Sequence, residues 1–311
     1  MNDHRRKREG LLYGIGAYGL WGLLPLYFKR VAHLPPLEVL AHRVVWSFLL
    51  LALIAIFAAR WGDVLQVLRS RKMLLALGLT TVLIAINWGT YIYAVSSNRV
   101  LQSSLGYFCT PLANVLLGVV VLKERLRTAQ VAAVGIAALG VLNLASTGMQ
   151  FPWISLVLAT SFALYGLFRK MIELGGVVCL LVETLLLVPV ALAYLAYESR
   201  VLTPGFRIPL DTTSALLLAS GLVTALPLLA FTAAARRLRL STLGILQYLA
   251  PTLQFSLAVF AFGEPFSRVQ LASFTLIWIA VALYTFDSLR AYKEHRENLI
   301  AQLAASGSEV A

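Results

Sequence analysis

Long apolar blocks separated by short charged loops make up nearly all of this chain, and blocks of that length leave few folds open. A bilayer core about 30 Å thick takes roughly 20 apolar residues per helical crossing. Ten segments meet this requirement: 10–28, 39–59, 73–95, 100–122, 129–147, 151–168, 177–197, 214–235, 241–262 and 269–286. The fifth is diluted by Gly and Ala, and the sixth and tenth are short. The blocks are continuous rather than alternating and exceed strand length, which argues against a barrel. The longest loop, Glu198 to Thr213, could not hold a soluble domain. Only 13% of the residues are charged, about half of what a soluble domain carries. The expected fold class is an all-α integral membrane protein with ten transmembrane helices.

Charge placement gives the expected orientation. With the N-terminus inside, nineteen Lys and Arg fall on the cytoplasmic side and six on the outer side, with Arg43 inside a span. That asymmetry follows the positive-inside rule. The net charge of +12 is thereby accounted for without a nucleic-acid partner. Residues 1–9 and 289–311 are expected as cytoplasmic tails, the second a helix end that frays. His4-Arg5-Arg6-Lys7-Arg8 resembles the start of a signal peptide, but the block after it is too long and lacks a small-residue cleavage site. It is expected to stay as the first helix.

The two halves repeat. Pro111 aligns with Pro251, Glu124 with Glu264 and Gln130 with Gln270, all at an offset of 140; Leu105-Gly106 matches Leu243-Gly244, and Trp21-Gly22-Leu23 matches Tyr165-Gly166-Leu167. Five spans per half is an odd number, so the second half is expected upside down relative to the first. The boundaries would be 10–147 and 151–288. Inverted five-helix repeats are a transporter architecture, with the substrate near the midplane.

The pattern Leu105-Gly106-Tyr107-Phe108, Pro111-Leu112, Glu124-Arg125-Leu126 and its C-terminal echo resembles the drug/metabolite transporter superfamily and its EamA-type repeat. His42-Arg43-Val44-Val45-Trp46-Ser47, Tyr165-Gly166-Leu167-Phe168-Arg169-Lys170, Leu249-Ala250-Pro251-Thr252-Leu253-Gln254-Phe255 and Phe262-Gly263-Glu264-Pro265 resemble the RarD group, named for a chloramphenicol-sensitivity phenotype. The resemblance runs from Gly10 to Asp287. It implies ten helices in an inverted repeat and export of metabolites or drugs from a bacterial cytoplasm.

Arg43 and Glu183 are the two charged residues inside the ten spans. Charge in hydrocarbon is costly, so such residues face a bundle interior and are candidates for function. Glu183 is the candidate coupling site for a proton or cation; Arg43 is the candidate holder of an anionic group. Inverted symmetry places them about 12 Å apart along the membrane normal, too far for an ion pair without tilt or snorkelling. His42, Trp46, Asn87, Tyr91, Tyr107, Tyr165, Gln247 and Tyr248 are the further candidate substrate residues, with Trp21, Trp88 and Gln254 in the same polar-aromatic set; helix packing is the competing explanation. Pro111 and Pro251, read as mid-span, are candidate hinges. Gly10, Gly14, Gly16, Gly19 and Gly22 are expected to allow close helix contact.

Cofactors are not expected. Gly14-Ile15-Gly16-Ala17-Tyr18-Gly19 fits a dinucleotide fingerprint but lies in a membrane helix, where that motif cannot work. The four histidines show no metal-ligand spacing, and Cys109 and Cys179 sit inside apolar blocks, outside any disulfide framework. A membrane enzyme would need acids or histidines clustered at one face, and a channel a continuous polar stripe. The expected partners are a small-molecule substrate, the lipid bilayer, and a proton or counter-substrate, with monomer and homodimer both open.

Overall fold

The computed structural model describes residues 3–58, 60–123, 126–146, 151–172, 174–201, 205–235, 237–238, 242–243 and 246–308. The elements among them are helices, with no strand. In order they are α1 (Asp3–Arg30), α2 (Pro36–Phe57), α3 (Trp61–Arg69), α4 (Arg71–Ser96), α5 (Val100–Leu122), α6 (Thr128–Ser146), α7 (Trp153–Lys170), α8 (Gly176–Val201), α9 (Thr212–Ala235), α10 (Leu249–Ser256, prolonged by a π-helical turn over Leu257–Ala261) and α11 (Arg268–Ser308). Among the described residues seven stretches are long and apolar enough to cross a membrane: Arg8–Arg30, Pro36–Phe57, Arg71–Ser96, Val100–Val121, Gly176–Val201, Thr212–Ala235 and Arg268–Asp287. Thr128–Leu144, Trp153–Arg169 and Leu249–Ala261 are shorter apolar helices.

Several boundaries differ from expectation for local reasons. Helix α3 lies in what sequence alone marks as a charged loop. Its two buried residues, Val64 and Val67, are three apart on one helical face, a pattern too short to stand out beside membrane spans. The Ser70 hydroxyl accepts the Met73 N–H at 3.4 Å and caps α4. Helix α11 continues to Ser308. Helices α2 and α8 extend past the expected blocks and take in Glu38 and Glu198, both buried.

The chain forms two compact units, each with helices from both sequence halves. One comprises Met1–Thr110 and Pro152–Pro265, the other Pro111–Phe151 and Phe266–Ala311. A proline stands at every point of division. In the first unit α1 packs on α9 and α10, α2 on α8 and α9, and α4 on α7; in the second, α6 packs on α11.

Lipid supplies no hydrophobic drive between helices, so small residues and polar bonds hold them together. A Cβ on Gly221 of α9 would lie 2.6 Å from the Trp46 carbonyl oxygen of α2, and one on Gly106 of α5 only 2.8 Å from the Ser155 carbonyl oxygen of α7. On α1, Gly10, Gly14 and Gly22 meet side chains of Leu238, Leu246 and Leu253, whereas Gly16 and Gly19 face open space. Only part of the expected glycine set is therefore at close contacts. Polar bonds do the rest: Ser104 Oγ donates to the Pro251 carbonyl at 2.9 Å and Ser155 Oγ to the Gln102 carbonyl at 2.6 Å. In the second unit Asn143 donates to Ser273 Oγ at 2.9 Å. Each such bond contributes about 0.6–2 kcal/mol within a membrane.

Glu264, one of the repeat residues, has a structural task. Its carboxylate accepts the N–H groups of Val100 and Leu101 at 2.7 and 2.8 Å. These are orphan donors of the first turn of α5, where negative charge also suits the helix dipole. Its expected counterpart Glu124, with Arg125, lies outside the described residues, as does Gly244.

Candidate functional site

The two intramembrane charges lie in the first unit, in separate polar pockets joined by a ladder of rings. Arg43, on α2 and 5% exposed, donates through Nε to Thr224 Oγ1 of α9 at 3.0 Å. Its guanidinium lies 4.1 Å from the Trp88 ring centroid and 5.5 Å from that of Phe28. Cation–π contacts of this kind are worth about 0.5–2 kcal/mol each. Tyr27, Tyr91 and Tyr107 also stand near it. Among the described residues no carboxylate pairs with Arg43. It is a buried cation held by rings and one hydroxyl.

Glu183, on α8, is fully buried. Thr80 of α4 donates to Oε1 at 2.8 Å and Tyr165 of α7 to Oε2 at 3.1 Å. Arg169, one turn further along α7, places Nε 4.0 Å from Oε1. Two hydroxyl donors and a guanidinium therefore face this carboxylate. Sequence reasoning missed Arg169 as the partner, because it counts as a cytoplasmic loop residue until α7 carries it to position 170. The i, i+4 spacing of Tyr165 and Arg169 on one helical face was the available signal.

Between the two charges the rings follow one another. Phe28 meets Tyr91 edge-on at 5.8 Å, Tyr91 meets Tyr107 at 5.9 Å, Tyr107 meets Phe162 at 6.1 Å, and Phe162 meets Tyr165 at 6.2 Å. Asn87 sits beside this ladder: it accepts from the Tyr107 hydroxyl at 3.3 Å and donates to Ser161 Oγ at 3.0 Å and the Leu158 carbonyl at 3.2 Å. The Tyr91 hydroxyl is buried with no partner. Arg43, Asn87, Tyr91, Tyr107, Tyr165 and Glu183 thus form one connected set.

The other sequence candidates are placed elsewhere. His42 stacks on Phe206 at 5.4 Å and Trp46 lies 5.9 Å from the same ring, with His42 Nδ1 and Trp46 Nε1 unpartnered. Tyr248 stacks on Phe108 at 6.5 Å, and Gln247 occupies the turn beside it. Gln254 donates to the Trp21 carbonyl at 3.2 Å, an α1–α10 packing bond, and Trp21 packs on Tyr18 and Phe231. Pro111 lies inside α5 as expected. Pro251 does not lie mid-helix: it follows the turn at Gln247-Tyr248 and occupies the first turn of α10, where its missing N–H is not needed.

A cleft of about 440 Å³ opens between the end of α2 and the facing ends of α8 and α9, lined by Ile54, Arg60, Gly175, Gly176, Thr232 and Arg237 among others. None of the residues singled out from sequence lines it. Its cations are already matched: Arg60 pairs with Asp63 at 3.0 Å and Arg237 with Glu9 at 3.7 Å.

Comparison with known proteins decides the family. The EamA-like transporter family matches residues 8–146. The chain is 44% identical over 301 residues to Protein RarD of Streptomyces exfoliatus, covering 97% of this chain and 96% of that one. It belongs to the RarD-type branch of the EamA family. An uncharacterized transporter of Bacillus subtilis, YojE, is 42% identical over 94% of this chain and all of its own. The chloramphenicol-sensitive protein RarD of Pseudomonas aeruginosa is 34% identical, covering 92% and 96%. A solved crystal structure at 20% identity superposes with a TM-score of 0.57 over 91% of this chain and 98% of the other, which supports the fold alone. With its several apolar spans and bacterial transporter relatives, this EamA member is a membrane transporter of the drug/metabolite superfamily, in a bacterial inner membrane.

Proposed function

We propose that this protein is a secondary transporter exporting small amphipathic metabolites or drugs by alternating access, built as two inverted five-helix repeats with both termini cytoplasmic. The observation that carries the reading is Arg43: a buried cation without an acidic partner among the described residues, set against aromatic faces. Such a site suits a ligand with a flat or apolar body and an anionic or strongly polarised end. Amino-acid-like compounds and chloramphenicol both fit that description, and the latter appears in the name of one relative.

Glu183 is the coupling group. Taking up a proton would remove the charge that holds Arg169, so proton binding and release could bias two arrangements of α7 and α8. Asn87, Tyr91, Tyr107 and Tyr165 line the substrate path between the charges. His42, Trp46, Gln247 and Tyr248 are later contacts on it. Pro111, inside α5, serves as a hinge by removing one backbone bond of that helix.

Counterflow in proteoliposomes tests this, with labelled chloramphenicol and amino acids and with Glu183→Gln and Arg43→Ala beside wild type. Saturable exchange that one variant abolishes supports the transporter and identifies the charge that matters. Exchange unchanged by Arg43→Ala would reduce Arg43 to scaffolding. No exchange by folded protein across the panel would refute the proposed substrate class.

A further inference from the structure

Two buried carboxyl groups outside the Arg43–Glu183 set have no task in transport as proposed above. Glu38, in the first turn of α2, is 1% exposed, and Glu198, near the end of α8, is 2% exposed. Each lies within hydrogen-bonding reach of the other, with Tyr194 also within reach of Glu198. Glu198 Oε2 is buried with no donor offered to it. No cation forms an ion pair with either glutamate among the described residues. The neighbouring groups are Tyr194 and Tyr197 on α8 and His42 one turn along α2. In the adjoining segment Arg207 faces Asp211, and His33 reaches Thr213 of α9.

Two carboxyls in contact without a cation repel each other when both are charged, and a proton between them relieves that repulsion, as in acid dyads. The missing donor to Glu198 Oε2 is what such a proton would supply. The pair also holds a segment. Glu38 Oε1 accepts the Gly205 N–H at 2.6 Å, and a Cβ on Gly205 would come within 2.7 Å of the same oxygen. The next residue, Phe206, covers His42 and Trp46, one and two turns beyond Glu38 on α2. Leu34 crowds the same side of Gly205, its methyl groups beside the Glu38 oxygen.

We propose that Glu38 and Glu198 form a proton-binding site, and that the shared proton latches the Gly205–Phe206 segment over His42 and Trp46. The step is one proton passing to water. The pair goes from one negative charge to two, no other covalent bond changes, and like-charge repulsion parts α8 from the α2 face that holds Gly205. The proposed orientation puts this latch on the outer side, and the inference rests on the transport reading for that side alone.

Hydrogen–deuterium exchange of the full-length protein in nanodiscs tests it without a substrate, so its failure is separable from failure of the transport assay. After correction for intrinsic exchange chemistry, the wild-type peptide covering 205–211 is expected to exchange about tenfold faster at about pH 9 than at about pH 6. Glu198→Gln, whose amide donates to Glu38 at every pH, is expected to keep the segment protected at both. Glu38→Gln, whose amide oxygen still accepts from Gly205, gives the same flat profile and guards against a folding defect in the first variant. A wild-type profile flat with pH would overturn the proposal, as would a Glu198→Gln profile that follows wild type. A rise shared with peptides of α6 would report general loosening and would overturn it too.

Discussion

The hydroxyl of Tyr165 donates to Glu183 Oε2 across 3.1 Å, and the residue one turn later on the same helix, Arg169, reaches the other oxygen at 4.0 Å. One face of α7 therefore presents a neutral donor and a cation to a single carboxylate on α8. The neutral donor would survive proton uptake by that carboxylate and the ion pair would not.

Glu183→Gln should separate the two experimentally. The amide oxygen still accepts from Thr80 or Tyr165, so the protein is expected to fold and to keep substrate exchange, while uptake driven by a pH gradient is lost. Tyr165→Phe removes one donor from a buried charge, a cost of about 1–3 kcal/mol, and is expected to lower the rate without abolishing gradient dependence. Paired measurements of exchange and gradient-driven uptake in the same liposomes check both.

Arg43 should show stability and function in opposition. A buried cation without an anion is costly, and an apolar replacement of similar length removes that cost. Arg43→Met is expected to melt at or above the wild-type temperature yet to lose ligand-induced stabilisation. Arg43→Lys keeps the charge but loses the planar stack on Trp88, and an intermediate ligand effect is expected. Thermal scans with and without chloramphenicol read both variants.

Gly221 and Gly16 form a contrasting pair. A Cβ at Gly221 would lie 2.6 Å from the Trp46 carbonyl oxygen, whereas Gly16 has nothing within 4 Å. Gly221→Ala must push α9 from α2 and is expected to cost about 1–3 kcal/mol. Gly16→Ala is expected to be neutral or slightly stabilising, since Ala favours helix. Melting temperatures in one detergent compare them.

Asp211 gives an acid-side effect. The Ser214 N–H and hydroxyl both donate to its Oδ1 at 2.7 Å, and these bonds hold its carboxyl below the usual aspartate range. Its folded value lies below the unfolded one, so the stabilisation is present above the ordinary aspartate value and fades as pH falls through the depressed value. Exchange protection in the first turn of α9 is expected to drop in that acid window for wild type and to be pH-independent in Asp211→Asn. The Glu38–Glu198 latch, by contrast, is expected to open on the alkaline side.

Much of the membrane architecture was legible because hydrocarbon imposes one rule on every residue in it. Continuous apolar length gave α1, α2, α4, α5, α8, α9 and the membrane part of α11, and the cost of burying charge singled out Arg43 and Glu183. Periodicity within a span says little when lipid and helix neighbours are equally apolar, so which faces meet was not readable. Tertiary packing decided that Gly10, Gly14 and Gly22 touch neighbours while Gly16 and Gly19 do not, and that Pro251 begins a helix rather than bending one.

The site divides in the same way. The residue types of the aromatic set were visible in sequence, but their grouping depended on which helices became neighbours. Packing of α4 on α7 and α8 brought Asn87 to Ser161 and Thr80 to Glu183. The 205–211 segment drew His42 and Trp46 to Phe206 instead. Glu38, Glu198 and Arg169 escaped notice because hydropathy places them just outside the apolar blocks; their helices run past those blocks, burying the two glutamates and half-burying Arg169. The sequence by itself determined which residues must lie in hydrocarbon, because transfer from water is a property of each side chain. Only the tertiary structure decided which buried charges have partners, because pairing depends on a few ångströms between helices far apart in the chain.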